Sequence, residues 1–419
     1  MKKIAIIFAS FLASALLFSS VGCDKAENNG NIIVSEPSIN IKATEINEKG
    51  ELIINYGDGK SESLGDVSGD ATQSENGIND VTLATSKGLR SSVSIFCTFG
   101  ESNSPYYSAG SGVIFKLDKG NGNAFIITNY HVVYDNAEGI SDDISVYLYG
   151  GEYADGEIKA VYVGGSLNYD IAVLYVENSE IIKSSCAIAT DIADSDRISV
   201  GQTAIAIGNA EGYGLSASNG VISVDSEYID MIAPDDVTAA SYRVMRIDTA
   251  VNHGNSGGGL FNAQGQLIGI VNAKIIDDNV ENIGYAIPST LAVAVANNII
   301  DNCFEKDCST LQRCLLGITI VTQSSSAVYD ESTGIVSTVE SRGVVEVSKG
   351  SIAYGIVEAD DILVSATLNG ITKEITRQFH VIDLMINARV GDTLYLTVLR
   401  DGETVTVSIE ITEDCVTSY

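Results

Sequence analysis

Short apolar runs of period two recur in two successive series between Val93 and Val271, separated by Gly, Asn and Asp. Such alternation marks half-buried strands, and turn residues every few positions leave little room for long helices. Val93, Ile95, Cys97 and Phe99 alternate with Ser and Thr, and residues 113–117, 124–128, 144–149, 158–163 and 171–176 continue the first series. Residues 191–197 interrupt with charge, and residues 203–207, 220–224, 242–247 and 267–271 form the second. A layout repeated once predicts two closed or sandwiched antiparallel sheets and a mainly β fold. Composition agrees: 40 glycines stand against 4 prolines and no tryptophan in 419 residues. A hydrophobic share of 45% against 19% charged supplies sizeable cores and excludes wholesale disorder.

Lys2 and Lys3 precede an apolar run over residues 4–18, shorter than the roughly 20 residues a spanning helix needs, and residues 1–22 read as a signal peptide. The run ends in Ser20-Val21-Gly22-Cys23, which is similar to a bacterial lipobox. Cys23 is therefore expected to carry a lipid, become the mature N-terminus and hold the protein to a membrane, facing outward or into a periplasm. Removing Lys2 and Lys3 takes the formal charge from −31 to −31 − 2 = −33. An acidic surplus of that size excludes nucleic acid as an electrostatic partner. Residues 23–90 read as a lipid-anchored tether: a polar spacer at 24–39, a small hairpin at 51–65 where Leu52, Ile54 and Tyr56 alternate, and a second linker at 61–80. A helix over residues 290–300, with Ser289 as N-cap behind Pro288, closes the two-sheet unit of residues 91–302. Residues 315–411 mix short strands, Gly turns and a helical stretch at 377–387, and read as a compact α+β domain.

The chain has three histidines, His131, His253 and His380, so an imidazole base has three candidates. His131 lies in Thr128-Asn129-Tyr130-His131-Val132-Val133, just past a buried-looking strand that can hold it rigidly at a cleft. In Gly254-Asn255-Ser256-Gly257-Gly258-Gly259 a serine is flanked by glycines, which lets backbone N–H groups approach a substrate carbonyl without obstruction by Cβ. Asp170 starts a strongly apolar strand, where a carboxylate must be solvated, capping or paired. The order His131, Asp170, Ser256 differs from the serine, acid, histidine order of the α/β-hydrolase elbow, which Gly254-x-Ser256-x-Gly258 also matches. That elbow needs a helix after the serine and His380 as its base; the sequence continues instead into Gly-Gly-Leu-Phe and a strand.

With these motifs in order, the chain resembles the HtrA or Deg-type serine proteases. TNYHVV, YDIAVL, AIAIGNAEGYG, GNSGGGLFNAQGQLIGI and IGYAIP carry the resemblance, which covers residues 91–411. It implies a chymotrypsin-like double antiparallel β-barrel followed by an α+β PDZ domain, acting on unfolded or damaged extracytoplasmic proteins. His131 would be the general base, Asp170 its orienting acid and Ser256 the nucleophile, with the amides of Gly254 and Ser256 as oxyanion hole. An imidazole base titrates near about 6.5 and works only when neutral, so hydrolysis is expected to fall as pH drops through that region. His253 stands where the family commonly has proline. Ala250, Val251, Ile270, Val271 and Asn272 match the segments bordering the primary specificity pocket, and their small or apolar character implies small aliphatic residues before the cut.

Leu315, Leu316, Gly317 and Ile318 look like the carboxylate-binding loop of a PDZ domain, which takes the C-terminal segments of peptides. Asp360-Asp361 replaces that family's usual Gly-Asp. The resemblance also implies a homotrimer, although aromatic anchors are missing between Ile78 and Val93. No metal or cofactor is implied. Cys97, Cys186, Cys303, Cys308, Cys314 and Cys415 are an even set outside the cytoplasm, with disulfide pairing left open. Asp191, Asp194 and Asp196 lack a calcium-loop pattern and read as a solvated turn. The rival reading is a noncatalytic peptide-binding or chaperone-like scaffold on the same fold.

Overall fold

The structure, a computed structural model, describes residues 41–46, 51–56, 59–66, 79–101, 103–151, 156–272 and 283–418. The expected signal segment, Cys23 and the spacer at 24–39 lie outside the described residues. The chain divides into two compact units after Asn79.

The first unit is a three-stranded antiparallel sheet of β1 (Ile41–Ile46), β2 (Glu51–Tyr56) and β3 (Ser61–Asp66), with β2 central. The hairpin expected at 51–65 is the β2–β3 pair, in which Ile54 lies opposite Glu62. Residues 61–66 are thus strand and not linker: the ladder to β2 outweighs the weak strand propensity of Ser, Gly and Asp.

The second unit opens with a helix, Asp80–Leu89, that strand-and-linker reasoning missed. Its sequence is largely polar, and its one apolar stripe buries Ala84 in the core. Then follow β4 (Ser92–Phe99), β5 (Tyr106–Asp118), β6 (Asn123–Thr128), the short pair β7 (Tyr134–Asp135) and β8 (Gly139–Ile140), β9 (Asp143–Leu148), β10 (Ile158–Ser166) and β11 (Ile171–Val176). Six of these close a barrel in the order β10-β11-β6-β5-β4-β9. The second barrel comprises β12 (Thr203–Gly208), β13 (Ser216–Ile232), β14 (Ala239–Ile247), β15 (Gly259–Phe261), β16 (Leu267–Val271) and β17 (Gly284–Pro288), closed in the order β12-β13-β14-β17-β16-β15.

The strands read as near-continuous apolar runs because both faces are buried. On β11, Ala172, Leu174 and Val176 fill the first barrel, while Ile171 and Val173 face the layer between the barrels. On β12, Ile205 and Ile207 meet that layer and Ala204 and Ala206 fill the second barrel. Leu291, Val295 and Ile299, from the helix Ser289–Cys303, pack into the same interbarrel core. Ser289 is the first helical residue and Pro288 the N-cap, so the expected serine cap is displaced by one; the Ser289 hydroxyl donates to Ala193 O at 2.9 Å.

Beyond β18 (Gln312–Cys314), the tail is a sheet of β19 (Ile318–Asp330), β20 (Ile335–Val347), β21 (Ile362–Leu368), β22 (Ile371–Glu374), β23 (Thr393–Arg400) and β24 (Glu403–Glu410), with one helix, Phe379–Ile386. A last strand, β25 (Val416–Ser418), returns to pair with β18. Asp360 adopts φ 71°, the left-handed conformation that a glycine would take at that turn, while Asp361 is buried on Arg400 at 2.7 Å. Asp196 is likewise no solvated turn residue: its side chain is buried in the tail interface on Arg243 at 2.9 Å and on Lys373. Asp191 and Asp194 do stay at the surface, on Lys87 and Arg197.

Candidate active site

Strand register brings the first two candidate residues together. Ala172 of β11 pairs with Thr128 of β6, so the antiparallel ladder carries Asp170 to the start of the one-turn helix Tyr130–Val133. Asp170 turns there with φ 50°, its carbonyl accepting from the Asn129 side chain at 2.8 Å and from the Tyr130 amide at 3.2 Å. The carboxylate is buried and fully engaged. Oδ1 accepts the His131 amide at 3.0 Å; Oδ2 lies 2.7 Å from His131 Nδ1 and accepts from Asn272 Nδ2 at 2.8 Å. Asn272 also donates to the Tyr242 hydroxyl at 3.0 Å. Burial, and then the negative charge of Asp170, push the Tyr242 phenol well above its ordinary value, so it stays neutral.

Ser256 sits on the loop between β14 and β15, and this loop is fastened to the first barrel by one serine. Ser111 of β5 donates its amide to Ser256 O at 2.8 Å and its hydroxyl to Gly254 O at 2.7 Å. Thr128 donates its hydroxyl to Ser111 O at 2.7 Å, which ties the β6 end that leads to His131 into the same junction. Gly257 closes the contact: a Cβ there would fall 2.2 Å from Ser111 O and 2.3 Å from Thr128 Oγ1, and its φ is 81°. No other residue lets the backbone next to Ser256 press so closely on the backbone leading to His131.

Four consecutive carbonyls of this loop are taken up by hydrogen bonds, three from the surrounding scaffold and one within the loop. His253 O accepts from Glu211 N–H at 2.8 Å, Gly254 O from Ser111 Oγ, Asn255 O from Gly258 N–H at 3.0 Å, and Ser256 O from Ser111 N–H. In a trans peptide the N–H points opposite its carbonyl, so anchoring His253 O and Asn255 O turns the Gly254 and Ser256 amides the other way. Gly254 is required here as well, since a Cβ would lie 2.1 Å from Asn209 O.

The remaining candidates separate. His253 is exposed beside this loop. His380 lies in the tail helix, buried, accepting the Thr376 amide at 3.2 Å through Nδ1. Ala250 is exposed and Val251 half-buried against the second-barrel core. Ile270 points into the interbarrel core and Val271 into the second barrel, while the Asn272 side chain is held by Asp170 and Tyr242. The side chains of Ile270, Val271 and Asn272 are therefore engaged in the cores and on Asp170, and only Ala250 and Val251 keep exposed or half-exposed side chains. In the tail, Leu315 is exposed, Leu316 buried, Gly317 has φ 73° and its carbonyl accepts from Ser348 N–H at 2.7 Å, and Ile318 opens β19. Among the described residues no cluster of three or more His, Cys, Asp or Glu could hold a metal. Sequence reasoning missed Ser111 and Tyr242; glycines on both sides of Ser111, inside a strand, were the available signal of close backbone approach.

Residues 110–270 match the family model for a trypsin-like peptidase domain. The chain is 31% identical over 316 residues to the serine protease Do-like HtrA of Lactococcus lactis subsp. cremoris, covering 73% of this chain and 71% of that protein. The chain belongs to the HtrA family of serine proteases. A second HtrA, from Bacillus subtilis, is 34% identical over 72% of this chain, which spans 63% of that relative's length. Among solved structures, an HtrA-type protease, AlgW, with a tripeptide matches at 26% identity and a TM-score of 0.52, covering 80% of this chain and 96% of that one. This HtrA-family chain thus has the trypsin-like double barrel as its fold.

Proposed function

We propose that the protein is an extracytoplasmic serine endopeptidase that cuts unfolded or damaged polypeptides, anchored to a membrane through a lipid on Cys23. His131 acts as general base, Asp170 fixes its ring and Ser256 is the nucleophile. With Nδ1–H given to Asp170, the neutral imidazole keeps Nε2 as an acceptor for the Ser256 hydroxyl proton. Ser256 Oγ attacks the peptide carbonyl, the amides of Gly254 and Ser256 receive the oxyanion, and His131 returns the proton to the leaving amine. Water then repeats the sequence on the acyl-enzyme. The single observation behind this reading is the His131–Asp170 pair at 2.7 Å beside a loop in which the carbonyls of residues 253–256 are each taken up by a hydrogen bond.

Ala250 and Val251 line the entrance for a small aliphatic residue before the cut. The tail acts as a PDZ domain, its Leu315–Ile318 loop taking a peptide C-terminus while the peptide adds a strand. Three copies assemble by analogy with the family. The test is labelling by a fluorophosphonate together with casein degradation. Wild type should label and degrade, and Ser256→Ala should lose both, by several orders of magnitude in rate. A wild type that never labels, with or without C-terminal peptides, identifies a noncatalytic scaffold instead.

A further inference from the structure

Six cysteines fall within the described residues, and they differ in their surroundings. Cys303 and Cys308 are joined; Cys97 lies inside the first barrel and Cys186 is exposed. Cys314 and Cys415 form a separate case, because the tail's first and last strands bring them together. β18 and β25 pair antiparallel with Cys314 opposite Val416, and the Leu315 amide donates to Cys415 O at 2.9 Å. Cys415 is therefore one step from the direct partner of Cys314. Directly opposite residues across an antiparallel ladder have Cα atoms about 4.5 to 5.5 Å apart, and one step along the strand, about 3.4 Å, brings the diagonal pair to roughly 6 Å, still within the span a disulfide bridges. The short helical turn Glu413–Cys415 rotates the second thiol inward, so both enter one apolar cluster with Leu316, Ala388, Ile409 and Ile411. In the structure both are free thiols, Cys314 Sγ donating to Ala388 O at 3.6 Å and Cys415 Sγ to Thr412 O at 2.9 Å; burial, and then the neighbouring Cys415, push the Cys314 thiol up to about 12.

We propose that Cys314 and Cys415 are joined by a disulfide in the mature protein, closing the entire tail into one covalent loop. The two thiols give up two protons and two electrons to a disulfide oxidant, such as glutathione disulfide or a protein dithiol oxidase in its oxidised form. A mixed disulfide forms first; the second cysteine displaces the carrier, and the oxidant leaves as two thiols. Both thiols are buried once the tail is packed, which closes them to an incoming oxidant, so the bond forms while the tail is still folding.

The bridge ties positions 415 − 314 = 101 residues apart in sequence. A loop of that length removes more unfolded-state entropy than the five-residue Cys303–Cys308 closure. It also pins the chain immediately before Leu315, and so fixes the base of the loop proposed to take a peptide C-terminus. The chemistry is independent of proteolysis and needs only an oxidising compartment.

The test is site-resolved. The full chain is refolded from the reduced, denatured state in a glutathione buffer, denatured without reductant and alkylated. The expected result is a cross-linked peptide pair containing Cys314 and Cys415, two hydrogens lighter than the sum of its halves, with Cys97 and Cys186 alkylated. Reducing the wild type should lower the tail's unfolding temperature by on the order of 10 °C, and Cys415→Ser should show most of that loss before reduction, leaving reductant only the smaller effect of opening the Cys303–Cys308 loop. Alkylation of both cysteines in wild type at every redox ratio overturns the proposal, as does a bridge from Cys314 to Cys97 or Cys186. Should Cys415→Ser fail to fold, the wild-type peptide map decides alone.

Discussion

Asp170 receives donors from both barrels: the His131 amide and ring from the first, and the Asn272 side chain from the second. Asn272 was legible in sequence as part of a specificity segment, but its contact with an acid 102 residues away was not, because only closure of β16 beside β17 aims it there. The three residues proposed to react, by contrast, stood in short motifs whose residue types are dictated by local chemistry. Removing the Asn272 donor leaves the buried carboxylate with one hydrogen bond fewer and frees it to swing away from the His131 ring. Asn272→Ala is therefore expected to lower kcat/KM for a peptide substrate about 10- to 100-fold, the worth of one hydrogen bond to a charged group, with KM little changed. Asn272→Asp, which keeps the shape but sets a second carboxylate against Asp170, should lose at least as much; a variant whose kcat/KM falls only in step with its folded fraction would assign Asn272 to folding alone.

At the scale of elements, strands with two buried faces were the most legible, and β11 and β16 were read to the residue. The helix Asp80–Leu89 and β3 were not, since neither carries a strong period and both form by docking onto a neighbour. β14 shows what alternation alone hides. Tyr242 points toward Asn272, while its neighbour Arg243 leaves on the opposite face and is wholly buried among Asp196 at 2.9 Å, Asp383 at 2.6 Å and the Phe379 ring at 3.8 Å. Burial alone disfavours the guanidinium, but the two carboxylates outweigh it and raise its pKa. Arg243→Met would leave two like charges buried side by side. We expect that change to cost about 3–5 kcal/mol in urea unfolding, and Arg243→Met with Asp383→Leu to recover most of it, because Asp196 keeps Lys373. Equal losses in single and double variants would show that packing, not charge, holds this joint.

For the whole second unit, the tail is clamped onto the second barrel and the helix that follows it by pairs far apart in sequence. Arg243 reaches Asp383, 140 residues away, Arg377 reaches Asp225 at 2.9 Å, and Arg389 reaches Asp301 at 2.9 Å. No local pattern encodes such pairs; composition foretold an acidic surface and gave no hint that several acids are buried in a joint. His380 sits in the same joint, and burial, then the charges of Lys373 and Arg243, lower its pKa from 6.5 to about 4 against the opposing pull of Asp196. Between those two values the unfolded chain binds a proton that the folded chain refuses, so falling pH favours unfolding. This contribution is complete above about 6.5, is lost progressively as pH drops toward about 4, and amounts to on the order of 3 kcal/mol. Asp196, which burial would raise but Arg243 and Lys373 hold below 3.8, adds its own loss only in stronger acid, so the two windows separate. Urea midpoints followed from pH 7 to pH 4 should therefore decline in wild type and flatten in His380→Asn, whose side-chain oxygen can still accept the Thr376 amide. A decline of the same size in both proteins would show that His380 is not the source of the acid sensitivity.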